Sequence, residues 1–221
     1  MEKLYVFGME LVITRKKIKN LYIRIKSGKI AVSAPIRMPE GEIIELVKSR
    51  EAWIKSTAEN NKSKQNELSD GEKISVFGKD YILRLNTERK NGYYFENGSL
   101  VLCVGDDISE GAVKKRFIEL YRDLLLQILP DVTEKCQKKC GLFANEWRVR
   151  DMSTRWGSCN VKEKRIWLSL WLAAKPIECI EATIYHELAH LKVKGHGNDF
   201  YKLLLDICPT YRESERILKN K

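Results

Sequence analysis

The sequence predicts an α+β fold: a β-rich first part over residues 1–105, then a mixed helix-and-strand part over residues 106–221. Three observations carry this reading. Period-two alternation of apolar and polar residues dominates the first part. Asn97-Gly98, the strongest short hairpin signal, sits near its end. The longest apolar stripe at helical spacing begins after Gly105.

In the first part, Leu21, Ile23 and Ile25 alternate with Tyr22, Arg24 and Lys26, the pattern of a half-buried strand. Ser27-Gly28-Lys29 supplies a turn, Ile30, Val32 and Ala34 form a second strand, and Pro35 and Pro39 end it. From Glu40 to about Glu59, Ile43, Leu46, Val47, Trp53 and Ile54 recur at helical spacing, and the polar stretch Asn60 to Asp70 reads as a linker or loop. Two hairpins follow, over 73–86 with a turn at Gly78-Lys79 and over 93–104 with a turn at Asn97-Gly98.

In the second part, Ser109 caps a helix carrying Val113, Phe117, Leu120, Tyr121, Leu124 and Ile128. Pro130 is expected to interrupt it, with a turn or two more before a stop at Gly141. Residues 147–152 and 165–170 read as strands. Pro176 opens a helix running through Ile180, Ile184, Leu188 and Leu191. A last helical segment begins near Asn198 and breaks at Pro209, before a short basic tail.

Composition narrows the function classes. With 43% apolar residues among 221, the chain can bury a core. No run of 18 apolar residues exists, so no helix is expected to span a membrane. Glu2 and Glu10 break any leader-like pattern at the start, so a cytoplasmic protein is expected. There the six scattered cysteines are reduced thiols, not a disulfide framework. Cys136 and Cys140 could share a helix face, but no second cysteine pair completes a metal set. The net charge of +10 suits an acidic partner without selecting one. Between Glu10 and Glu40 lie eight basic residues and no acidic one: Arg15, Lys16, Lys17, Lys19, Arg24, Lys26, Lys29 and Arg37. These basic strands could follow a nucleotide or nucleic-acid backbone, or be an ordinary solvated face.

All three histidines fall in one eleven-residue window, His186-Glu187-Leu188-Ala189-His190 and then His196. Residues i and i+4 project from one helix face about 6 Å apart along the axis. Two imidazoles so placed can reach one Zn²⁺ ion, and a break before Gly195 lets His196 return as third ligand. Three ligands leave a position open, as catalytic sites need. Glu187, one residue past the first ligand, is the expected general base. The expectation is therefore a zinc-dependent hydrolase, a metallopeptidase foremost, acting on a peptide or protein. Another divalent transition metal would also suit the site. Three alternatives stay open: a nucleoside triphosphate pyrophosphatase, a nucleic-acid-associated protease, and a metal-binding module without catalysis. The histidine spacing equals that of metzincin endopeptidases, but Val193 stands where they have glycine and no methionine follows Met152.

Further back the chain reads Arg155-Trp156-Gly157-Ser158-Cys159, then the segment Ile166 to Leu170, then His186-Glu187-Leu188-Ala189-His190-Leu191 and His196 with Phe200. This ordered set resembles the YgjP-like family of predicted metallopeptidases, related to SprT-like and other zincins. The basic opening Thr14-Arg15-Lys16-Lys17 and Trp53-Ile54 are similar to that family's N-terminal region too. The usual Asn-His-Ser around the third ligand is Gly195-His196-Gly197 here. The resemblance implies a zincin-like C-terminal domain, with the active-site helix packed on a small sheet whose edge strand can hold an extended peptide. Residues 165–170 are the expected edge. Arg155 could bind a substrate carboxylate or phosphate and Ser158 offers a hydroxyl. Alternatively the segment is a tight Trp-Gly turn that only packs the strand against the helix.

Overall fold

A computed structural model of the protein describes residues 4–26, 28–64 and 68–219. The chain divides into two compact units, Met1–Glu67 and Leu68–Lys221. The α+β class is as expected, but the division falls well before residue 105, because the second pair of hairpins shares its core with the C-terminal half.

In the first unit, β1 (Leu4–Val6), β2 (Met9–Lys16), β3 (Tyr22–Lys26) and β4 (Lys29–Pro35) form one sheet in the order β1-β2-β4-β3. β3 and β4 are antiparallel, with Ile23 opposite Val32 and Ile25 opposite Ile30. The alternation sends Ile30, Val32 and Ala34 inward. Two helices supply the rest of the core through Ile43, Val47 and Ile54, all fully buried. Burying each contributes roughly 1.5–3 kcal/mol. These helices, α1 (Glu40–Lys48) and α2 (Glu51–Lys64), replace the single expected one, parted at Ser49-Arg50. α2 also takes in Asn60–Lys64, expected as linker. Ser27 and residues 65–67 lie outside the described residues. Of the basic residues noted above, Lys29 pairs with Glu10 at 2.7 Å, and Arg15 donates to the carbonyls of Pro35 and Met38.

In the second unit, β5 (Lys73–Val76), β6 (Lys79–Asn86), β7 (Tyr93–Glu96) and β8 (Ser99–Cys103) build the expected hairpins, joined by a parallel β6–β8 pair. After β5 the Phe77 amide donates to the Ala173 carbonyl at 2.7 Å, tying this sheet to the C-terminal half. α3 (Glu110–Cys140) is one 31-residue helix, capped at Ser109 and ending at Gly141. Pro130 does not interrupt it. The proline is exposed, as is Leu126, whose carbonyl loses its partner, so the break in the ladder opens towards solvent. The buried face, Leu125, Leu129, Thr133 and Cys136, continues past it.

A three-stranded sheet follows in the order β10-β11-β9, from β9 (Glu146–Arg150), β10 (Gly157–Asn160) and β11 (Arg165–Ser169). β11 is therefore the middle strand and not the expected edge, because the Trp-Gly segment does more than turn: it continues into β10, antiparallel to β11. A short 3₁₀ turn leads into α4 (Ile177–Ala189), which packs on this sheet. α5 (Asn198–Ile207) comes next. Beyond Pro209 the expected tail is instead a helix, α6 (Tyr211–Lys219), burying Tyr211, Ser214 and Leu218 at i, i+3 and i+7.

Candidate metal centre

α4 is apolar on most of its surface, with Ile180, Ile184, Leu188 and Ala189 fully buried. It ends at Ala189, so His190 is the capping residue, one turn after His186. The chain then folds back: the Val193 amide donates to the Ala189 carbonyl at 2.9 Å, and Gly195 takes φ +77°. That left-handed conformation is one a side chain disfavours, and it turns His196 towards α4.

The three imidazoles converge. One ring nitrogen from each of His186, His190 and His196 lies within 4.8 Å of the others, and Nε2 of His186 stands 3.1 Å from Nε2 of His196. Tetrahedral ligands with zinc–nitrogen bonds of 2.0–2.1 Å stand about 3.3–3.4 Å apart, so the donor set and its spacing suit a divalent ion that favours nitrogen. The outer nitrogens of two of the rings are engaged elsewhere. His186 Nδ1 is 3.0 Å from the Tyr211 hydroxyl, and His190 Nδ1 is 3.4 Å from the Val193 carbonyl. Phe200, fully buried on α5, stacks on His190 at 4.6 Å and meets the other two rings edge-on at 4.9–5.0 Å.

Burial sets the electrostatics. It lowers the His186 pKa to about 4, helped by the neighbouring His190 and His196, and it lowers His190 as well. Near neutral pH His186 therefore keeps a ring lone pair free. Glu187, 5% exposed, is raised to about 8 by burial, with Arg155 pulling the other way. Its carboxyl presses on Gly157. A methyl group at that position would lie 2.5 Å from Oε1, 2.7 Å from Cγ and 2.8 Å from Cδ. No side chain other than hydrogen fits while Glu187 stays where it is.

One cavity of about 470 Å³ collects all six residues singled out from the sequence: His186, Glu187, His190, His196, Arg155 and Ser158. Cys159, Val161 and Lys194 also line it. Burial and the nearby Glu187 push the Cys159 thiol up to about 11. A smaller cavity of about 170 Å³ shares Arg155, Gly157, His186 and Glu187, and adds Tyr211, Thr183 and Leu218. Tyr211 is the contact that sequence reasoning missed. The apolar spacing after Pro209 could have marked a helix, but nothing local to it points at a residue 25 positions earlier.

Three imidazoles and a buried carboxyl around one open cleft are the equipment of a metal-dependent hydrolase. The family model described as YgjP-like, metallopeptidase domain, matches residues 19–221, and the chain belongs to that family. Among solved structures it is similar to the metallopeptidase zymogen abylysin of Pyrococcus abyssi. The two are 23% identical with a TM-score of 0.38, over 41% of this chain and 92% of that one. No curated protein matches the chain.

Proposed function

We propose that this metal-dependent hydrolase is a zinc peptidase in which His186, His190 and His196 hold the ion and Glu187 is the general base. The observation that carries the reading is the convergence of three imidazoles beside one buried carboxyl in a single cavity. When bound, a divalent ion supplies Lewis acidity, acidifying water and polarising a carbonyl oxygen. The rest falls to the chain. Glu187 takes the proton from the attacking water and passes it to the amide nitrogen that leaves. Burial raises its pKa and Arg155 opposes that rise; a cation bound by the three imidazoles would favour the ionised carboxylate that a base requires. Gly157 leaves the carboxyl room to reach the cleft. Ser158 and Arg155, on the rim, meet the substrate's carbonyl or a nearby carboxylate. β10, the outer strand of its sheet among the described residues, gives an extended peptide a ladder to pair with.

A second reading keeps the centre and changes the bond. Arg155 and Lys194 put two cations on the rim, which would also suit the phosphates of a nucleoside triphosphate. Metal analysis of the purified protein, beside a Glu187→Gln variant assayed on peptide and nucleoside triphosphate panels, separates the two. The expected result is about one zinc per chain in both proteins, peptide turnover in the wild type, and a loss of 10²-fold or more in the variant. Turnover of triphosphates alone would move the assignment to the second reading, and full activity in the variant would remove Glu187 as base.

A further inference from the structure

The residue that touches the cluster from outside the motif is Tyr211, from the first turn of α6. Resting on the reading of His186 as a ligand, we propose that Tyr211 positions His186 for the metal, which makes the C-terminal helix part of the centre although it supplies no ligand.

The geometry assigns each ring nitrogen a task. Nε2 of His186 faces His196 at 3.1 Å, so it is the nitrogen on the cluster side. Nδ1, on the other side of the ring, meets the Tyr211 hydroxyl at 3.0 Å. A neutral imidazole carries one proton. If Nδ1–H donates to the Tyr211 oxygen, the lone pair is left on Nε2, where a metal would need it; the opposite tautomer would aim a proton at the cluster. A hydrogen bond in that direction keeps the Nε2 lone pair on the cluster side and fixes the ring's rotation together. The comparable contact at His190 is longer, 3.4 Å, and is made to a carbonyl of the turning chain.

Such a bond can position a ligand only if the tyrosine is itself held. Tyr211 is 6% exposed. The helix behind it is fastened to the elements that carry the site. Ser214 Oγ donates to the Glu178 carbonyl of α4 at 3.2 Å, and the Trp156 indole donates to the Leu218 carbonyl at 3.0 Å. One fastening reaches the helix of His186; the other reaches the residue before Gly157, against which Glu187 rests. Ligand and base are therefore referred to the same outer support.

The test is Tyr211→Phe, which removes one oxygen and keeps the ring. Zinc affinity of the full-length protein, measured by competition with a chromophoric chelator, should fall 10- to 100-fold. The melting temperature of the metal-stripped protein should stay close to that of the wild type. Long-range ¹H–¹⁵N correlation spectra of the metal-stripped wild type should show His186 as the Nδ1–H tautomer, and the variant should lose that preference. A structural role alone would leave the tautomer unmoved. Equal zinc affinity in the two proteins, or an Nε2–H tautomer in the wild type, would overturn the assignment; the second readout needs no variant to fold. A wild type that binds no zinc would instead fail the metal reading on which this rests, a different result from tight binding by both proteins.

Discussion

Gly157 and Glu187 compete for one small volume, and the competition defines what the glycine does. In Gly157→Ala the new methyl meets the Glu187 side chain from Cγ to the carboxyl, which has to swing aside. The expected outcome is a melting temperature lowered by only a few degrees, zinc affinity within a few-fold of wild type, and hydrolysis down at least tenfold. Steady-state rates on a peptide substrate beside a zinc titration check this; unchanged turnover would mean that Glu187 has no need of its present place. At this scale the sequence is informative where spacing is local. His186, Glu187 and His190 lie within one turn, so helix geometry alone puts them together. Arg155 and Ser158 are identified by a motif 30 residues away. Tyr211 is invisible, because its partner is fixed by packing across elements and not by any periodicity.

Elements were legible in proportion to how much of their pattern is their own. The hairpins over 73–86 and 93–104 follow from alternation and turn residues, and they form as expected. Pro130 misleads because a rule about helix interiors ignores which face the proline occupies: on an exposed face of a long, well-buried helix, one lost bond is tolerated. β10 is missed because four residues, one of them glycine, carry too little alternation to register. The sheet it belongs to has its own acid sensitivity. Glu146, at the start of β9, accepts from Arg165 of the neighbouring β11 and from Arg148, which holds its carboxyl below the ordinary carboxylate range. A carboxyl depressed in the fold stabilises it above its unfolded pKa, and the contribution is lost as pH falls through the folded value. Glu146→Gln should therefore lower the melting temperature slightly at pH 7 and match wild type in strongly acidic buffer. Melting curves across that range check the sign; a gap that widens on acidification would contradict it.

On the scale of the whole molecule, two cores of unequal size share the chain; among the described residues the first unit has eight buried apolar residues and the second the larger set. The boundary was hard to read because both units begin with strands, and composition does not change where the cores do. The cluster of histidines belongs entirely to the second unit. Calorimetry should accordingly show that stripping zinc lowers the transition of the second unit and leaves that of the first in place. At free zinc a hundredfold above the dissociation constant, the ligand stabilises by about 2.7 kcal/mol. Equal displacement of both transitions, or of neither, would contradict a centre confined to one unit. The shortness of β10 has a further consequence. Four residues at about 3.4 Å each give a ladder some 14 Å long, and alternation turns only two side chains of any guest strand to each face. On the proposed peptide reading, a substrate paired there would be read over a handful of positions, so selectivity would be for a brief local sequence. The same brevity would give a second copy of the chain little to grip.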